Sequence, residues 1–136
     1  MKKRIIIFIV VLVAVVAAYA YYEYTRKPAT ANDRTTDFTM TTTQLLEAFS
    51  NEDAANKKYQ DKVIEVNGTI DAVAKNGKSY DVSLTTEDPM TLITVQLVPE
   101  ENESASKLKT GDKIALKGIC TGKNIDIELN KGSILK

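Results

Sequence analysis

The chain has 136 residues, 43% of them apolar and 26% charged, which is room for one domain with accessory segments. Eighteen basic side chains balance eighteen acidic ones, so no net field draws in nucleic acid or anionic lipid. Histidine and tryptophan are absent and there is one cysteine. The usual general base and commonest metal ligand is therefore missing, no internal disulfide can form, and the composition points away from an enzyme and implies no cofactor.

The first element is "MKKR" followed by "IIIFIVVLVAVVAAYAYY", an uncharged run from Ile5 to Tyr22. As a helix these 18 residues span roughly 27 Å, close to the hydrocarbon thickness of a bilayer. Lys2, Lys3 and Arg4 place residues 1–4 in the cytoplasm and everything beyond the run outside it. Two readings stand: a retained single-pass anchor over 5–22, or a secretory signal peptide cleaved after Ala18-Tyr19-Ala20, which would release a secreted or periplasmic protein. Tyr19, Tyr21, Tyr22 and Tyr24 form an interfacial aromatic belt and favour the anchor. No cysteine follows the run, which excludes a lipid-anchored lipoprotein.

Residues 23–40, threonine-rich and polar with a proline, read as a flexible linker. A helical lead-in follows. Thr41 with Gln44 resembles a capping box, and Leu45, Leu46 and Phe49 form an apolar stripe. Ser50 with Asp53 starts a second short helix carrying Ala54, Ala55 and Tyr59, so residues 42–59 hold two short helices or one bent one.

From Lys62 the period becomes two. "KVIEVNGTIDAVA" sets Ile64 and Val66 against Glu65 and Asn67, with Gly68 marking a bend. Asn76-Gly77 signals a hairpin into "KSYDVSLTT", where Tyr80, Val82 and Leu84 alternate with polar residues. After the Glu87-Asp88-Pro89 turn comes "MTLITVQLV", then a polar connection with a helical turn near 104–108. "DKIALKGICTG" places Ile114, Leu116, Gly118 and Cys120 on one face, and "KNIDIELNKGSIL" does the same for Ile125, Ile127 and Leu129. Five short strands with internal glycines, and a longer connection after the third, predict a mainly β fold: a five-stranded OB-fold Greek-key barrel behind one or two short helices and a transmembrane helix. The lead-in and barrel together make a domain over 41–136.

The helix with alanines before a tyrosine-lysine segment, the first strand with Gly68, and the "GICTG" strand followed by "DIEL" resemble the tRNA-anticodon-like (tRNA_anti-like) family of bacterial envelope proteins, over about residues 44–135. The resemblance implies an OB-fold exposed outside the cytoplasm and carries no catalytic residues. Members often have cysteines where this chain has Gln96 and Gly132, so a pairing there is not open to it.

Single-strand binders of this fold combine a basic groove with aromatic stacking platforms. Residues 62–136 hold ten lysines and no arginine against eleven acidic residues, with Tyr80 the lone aromatic, so nucleic acid is a poor match. Glu87-Asp88 and Glu100-Glu101 sit beside prolines as solvated loop charges, without a calcium-loop pattern. OB barrels bind on their second and third strands and the adjoining loops. That region is Tyr80, Asp81, Ser83, Thr85, Glu87 and Asp88, a polar surface suited to a protein or glycan. The expected function is a non-enzymatic, membrane-anchored extracytoplasmic binding or scaffold module, the alternative a single-stranded nucleic-acid-binding domain. Cys120 is expected buried and inert, with Lys117 and Lys123 facing solvent or in a turn.

Overall fold

The structure is a computed structural model describing residues 2–26 and 30–135; Met1, residues 27–29 of the expected linker and Lys136 lie outside the described residues. The N-terminal run forms α1 (Lys2–Thr25), apolar around its whole circumference, with no buried residue. It is long and apolar enough to cross a membrane.

Two short helices follow, as the stripe predicts: α2 (Thr42–Ala48) and α3 (Glu52–Tyr59). At the start of α2 the capping box closes both ways. The Gln44 amide N–H donates to Thr41 Oγ1 at 3.2 Å, and the Thr41 N–H to Gln44 Oε1 at 3.0 Å. The cap of α3 is Asn51 and not Ser50: its Oδ1 accepts from the Ala54 N–H at 3.2 Å. Leu45, Phe49, Ala55 and Tyr59 turn inward and seal one end of the barrel.

The organising strand is β2 (Val63–Asn76). Its first half pairs antiparallel with β5 (Lys113–Lys123), its second half with β3 (Ser79–Leu84), and the pairing to β3 shifts register between Ile70 and Ala72. One strand thereby serves two sheets and turns the corner between them. Gly68 sits at that corner, where a Cβ would collide with Thr42 Cγ2. β3 pairs with β4 (Ile93–Leu97), β4 runs parallel to β6 (Ile127–Leu135), and β6 pairs back onto β5. The ring β2-β3-β4-β6-β5-β2 closes without an edge, the five-stranded OB arrangement that the sequence predicts. α4 (Asn102–Ala105), after a 3₁₀ turn at Pro99–Glu101, lies in the connection between β4 and β5, a few residues earlier than the turn expected near 104–108.

Inside the ring, Ile64, Val66, Ile70, Val82, Leu84, Ile93, Val95, Leu97, Leu116, Cys120, Ile127 and Leu129 interlock as one core. The hairpin turn is Gly77-Lys78, one residue past the Asn-Gly pair, with Gly77 at φ +61° in the first central position. Ile125, expected inward, is 75% exposed, because β6 begins only at Ile127. The bend is held by Asp126, whose Oδ1 accepts from the Leu92 N–H at 3.0 Å.

The second half of the expected linker is not free. Ala31–Asp33 forms a 3₁₀ turn, and Phe38–Thr41 forms β1, a sixth strand parallel to the start of β2. Between them Asp37 grips Val63 twice: its N–H donates to the Val63 carbonyl, and its Oδ2 accepts from the Val63 N–H, both at 2.8 Å. Residues 30–41 therefore form a strap laid on the outside of β2, β5 and β6. Ala31 of the strap and Val63 of β2, both fully buried, lie outside the main core.

Lys117 corrects a second expectation. Period-two alternation directs it outward on β5, but outward there is under the strap. It is 9% exposed, and its Nζ donates to the Arg34 carbonyl at 2.6 Å. Lys123, by contrast, is only partly buried, 3.2 Å from Glu52 Oε1.

Candidate functional site

The surface expected to meet a partner is the outward face of the second half of β2, β3 and β4. Val82, Leu84, Val95 and Val73 share the inward row, since Val82 pairs with both Val73 and Val95. The alternate row faces out: Ala72 and Ala74 on β2, Asp81 and Ser83 on β3, Thr94 and Gln96 on β4. Ser83 Oγ and Thr94 Oγ1 lie 3.4 Å apart across the strands. Asp81 Oδ2 accepts from Asn76 Nδ2 at 2.8 Å, which leaves Oδ1 shielded and without a partner. No lysine, arginine or aromatic ring belongs to these outward rows.

The six residues expected at this site separate into three groups. Asp81 and Ser83 stand together on the outward face, both partly buried. Tyr80 does not join them, because it is in phase with Val82 and packs against the core. That phase is readable in the sequence, where Tyr80, Val82 and Leu84 already alternate with polar neighbours.

Thr85, Glu87 and Asp88 belong to the loop between β3 and β4, at one pole of the barrel. Thr85 is spent on the neighbouring strand, with its N–H 2.9 Å from the Thr69 carbonyl. Glu87 Oε1 accepts from Thr43 Oγ1 at 3.4 Å. Asp88 organises its own loop: Oδ1 accepts from the Met90 N–H at 2.9 Å and Oδ2 from Thr91 Oγ1 at 3.0 Å. These two bonds, the backbone one first, hold the Asp88 carboxyl below its ordinary pKa. Thr86 Oγ1 closes the loop from within, against the carbonyls of Asp88 and Thr91. The acidic pair is thus loop architecture with one exposed carboxylate, that of Glu87.

Two large apolar side chains stand out at this pole. Met90 is 80% exposed and Ile125 75%, the only large apolar side chains outside α1 so exposed among the described residues. Their loops are joined through the Leu92–Asp126 bond. Alternation read Ile125 as interior, and a lone methionine beside a proline carries no period that marks it as exposed.

Cys120 is fully buried in β5, and burial pushes its thiol pKa up. Its carbonyl accepts from the Asp61 N–H, and its own N–H donates to the Lys62 carbonyl, both at 2.9 Å. A protonated thiol sealed among Leu116, Leu129 and Ile127 is a small apolar side chain. Among the described residues no group of three or more His, Cys, Asp or Glu is placed to hold a metal ion.

Solved structures repeat this fold. A candidate nucleic acid-binding lipoprotein from Klebsiella pneumoniae superposes with a TM-score of 0.63 at 19% identity, covering 81% of this chain and all of that one. A candidate aspartyl-tRNA synthetase from Leishmania major gives a TM-score of 0.50 at 14% identity, over 89% of this chain but 26% of the synthetase. At such identities the likeness is one of fold. No curated protein matches the chain. The family model described as tRNA_anti-like matches residues 1–134, and the chain belongs to that family.

Proposed function

We propose that the chain is a membrane-tethered, non-enzymatic binding module, anchored by residues 5–22, whose barrel stands outside the cytoplasm and presents the β2–β3–β4 face to a protein or glycan. One observation carries the choice of partner. The face on which OB barrels take their ligands has here Asp81, Ser83, Thr94 and Gln96, with neither a cation nor a ring. Non-specific single-strand binding draws its affinity from phosphate neutralisation and base stacking. Tyr80, the lone aromatic beyond Lys62, is turned into the barrel end, so both sources are missing from the face.

The lipoprotein neighbour is described as nucleic acid-binding, a description that concerns that protein. In this chain the sole cysteine is sealed in β5, so tethering falls to α1. The side chains of Ser83, Thr94 and Gln96 on this pleated surface suit hydrogen bonding to hydroxyls or peptide groups. The non-enzymatic reading is supported by the absence of histidine and by a thiol that burial keeps protonated.

The deciding experiment is a salt titration of the full chain, in nonionic detergent, against fluorescent single-stranded oligonucleotides. The expected result is no saturable binding at micromolar protein. Micromolar affinity that weakens steeply between 50 and 200 mM salt, as about six or more phosphate contacts would produce, would overturn the proposal.

A further inference from the structure

The chain has two Asn-Gly steps, Asn67-Gly68 and Asn76-Gly77. Glycine after asparagine leaves the backbone least hindered for one self-reaction. The glycine nitrogen attacks Cγ of the asparagine and closes a succinimide ring. The Cγ–Nδ2 bond breaks, the proton of the attacking nitrogen leaves with Nδ2 as ammonia, and water opens the ring at either carbonyl to give aspartate or isoaspartate. Water is the sole co-reactant. In a folded chain the rate depends on whether that nitrogen and that carboxamide are free to meet.

The fold treats the two steps oppositely. Asn67 and Gly68 lie in mid-strand, opposite Ala115 and Ile114 of β5, and Asn67 is also opposite Thr41 of β1. The Ile70 N–H donates to the Asp112 carbonyl at 2.9 Å, on the β5 side. Alternation turns the Gly68 N–H the same way, into the ladder.

Asn76 and Gly77 stand at the end of the β2–β3 hairpin. Asn76 pairs with Ser79, so Gly77 and Lys78 make a two-residue loop whose N–H groups the ladder does not use. Both Asn76 and Gly77 are exposed, and a Cβ at Gly77 would meet nothing within 4 Å. Among the described residues the Asn76 carboxamide makes one hydrogen bond, from Nδ2 to Asp81 Oδ2 at 2.8 Å. That bond ties the carboxamide to β3, and ring closure has to break it.

We propose that Asn76 is a site of spontaneous deamidation, restrained by Asp81, and that its conversion sets a second carboxylate against Asp81. The product exchanges a donor for an acceptor at the Asp81 oxygen, and two carboxylates facing each other across a strand pair repel. The free end of the hairpin loosens as a result. Asn76 continues the outward row of Ala72 and Ala74, so the modification adds negative charge at the border of the β2–β3–β4 face. It does so whatever that face binds.

The test ages the full chain in maltoside micelles in warm, mildly alkaline buffer. Peptide mapping by mass spectrometry reads the amide-to-acid mass gain at each Asn-Gly step and separates aspartate from isoaspartate. In the native protein Asn76 converts at least about tenfold faster than Asn67, as the difference in local opening between a hairpin end and a paired strand requires. In denaturant the two rates become alike, because the dipeptide is the same. Asp81→Ala speeds native conversion of Asn76 several-fold and leaves Asn67 unchanged, which a general loosening of the fold would not do. Asn76→Asp, the product made by substitution, lowers the melting temperature by about 2–8 °C. In the Asp81→Ala background the same substitution lowers it by less than half as much. The proposal fails if Asn67 converts as fast as Asn76 in the native chain, or if neither converts while the denatured chain does. It fails equally if Asp81→Ala leaves the Asn76 rate unchanged, or if Asn76→Asp melts like the wild type.

Discussion

Replacing Gly132 by alanine tests how the barrel closes. β6 runs beside β4 with a register shift between Val95 and Leu97, and Gly132 lies opposite Leu97. A Cβ at 132 would stand 2.5 Å from Val95 Cγ1, 3.1 Å from the Gln96 carbonyl oxygen and 3.3 Å from that of Lys117. Side-chain carbons essentially never approach to less than 3.0 Å. Val95 is fully buried and Gln96 belongs to the β3–β4 ladder, so the neighbours have little room to give. Overpacking of this kind costs about 1–3 kcal/mol. A loss of about 2 kcal/mol lowers the melting temperature of a domain this size by about 8–16 °C. Thermal melts of full-length protein, followed by near-ultraviolet circular dichroism in one detergent, give the shift. Guanidinium melts check that the denaturant slope is unchanged. Val95→Ala removes the closest clashing atom, so Gly132→Ala should cost less in that background, by more than about 0.5 kcal/mol. A single variant within about 0.5 kcal/mol of the wild type, or strict additivity of the pair, would refute this account of the crossing.

Three further outcomes follow from particular groups. Cys120, fully buried and with its pKa raised, should resist alkylation in the native state and react only once denaturant opens the barrel; rapid native labelling would mean that β5 is not sealed. Asp88 has a depressed folded pKa, so its contribution is present above the ordinary carboxylate value and is lost as pH falls through the folded one. The Met90 amide shift should titrate with a midpoint below that ordinary value and lose its titration in Asp88→Asn; a midpoint at or above it contradicts the loop geometry. Mass spectrometry of membrane-extracted protein should return the intact 15.0 kDa chain, whereas a species lacking residues 1–20 would mark a cleaved signal.

What the sequence made legible, and what it hid, depends on whether apolar side chains or backbone bonds hold a segment. β5 could be read because Leu116 and Cys120 alternate in phase and both end in the core. The strap could not, because Ala31 and Phe38 are its only apolar residues apart from Met40, too few to show a period. It is held instead by the Asp37–Val63 bonds and by Lys117 on the Arg34 carbonyl, interactions that hydropathy does not record. Lys117 misled for a related reason. Alternation gave its direction correctly, but solvent was assumed where another segment lies. Ile125 failed at a boundary: alternation ran one turn too far, past a bend set by the Asp126 carboxylate reaching another loop. The strap also bears on function. By lying over the outward side of β5 and β6 it takes part of that flank out of reach, while the row of Ser83, Thr94 and Gln96 stays partly to fully exposed. The polar segment that read as a spacer therefore narrows the surface open to the proposed partner.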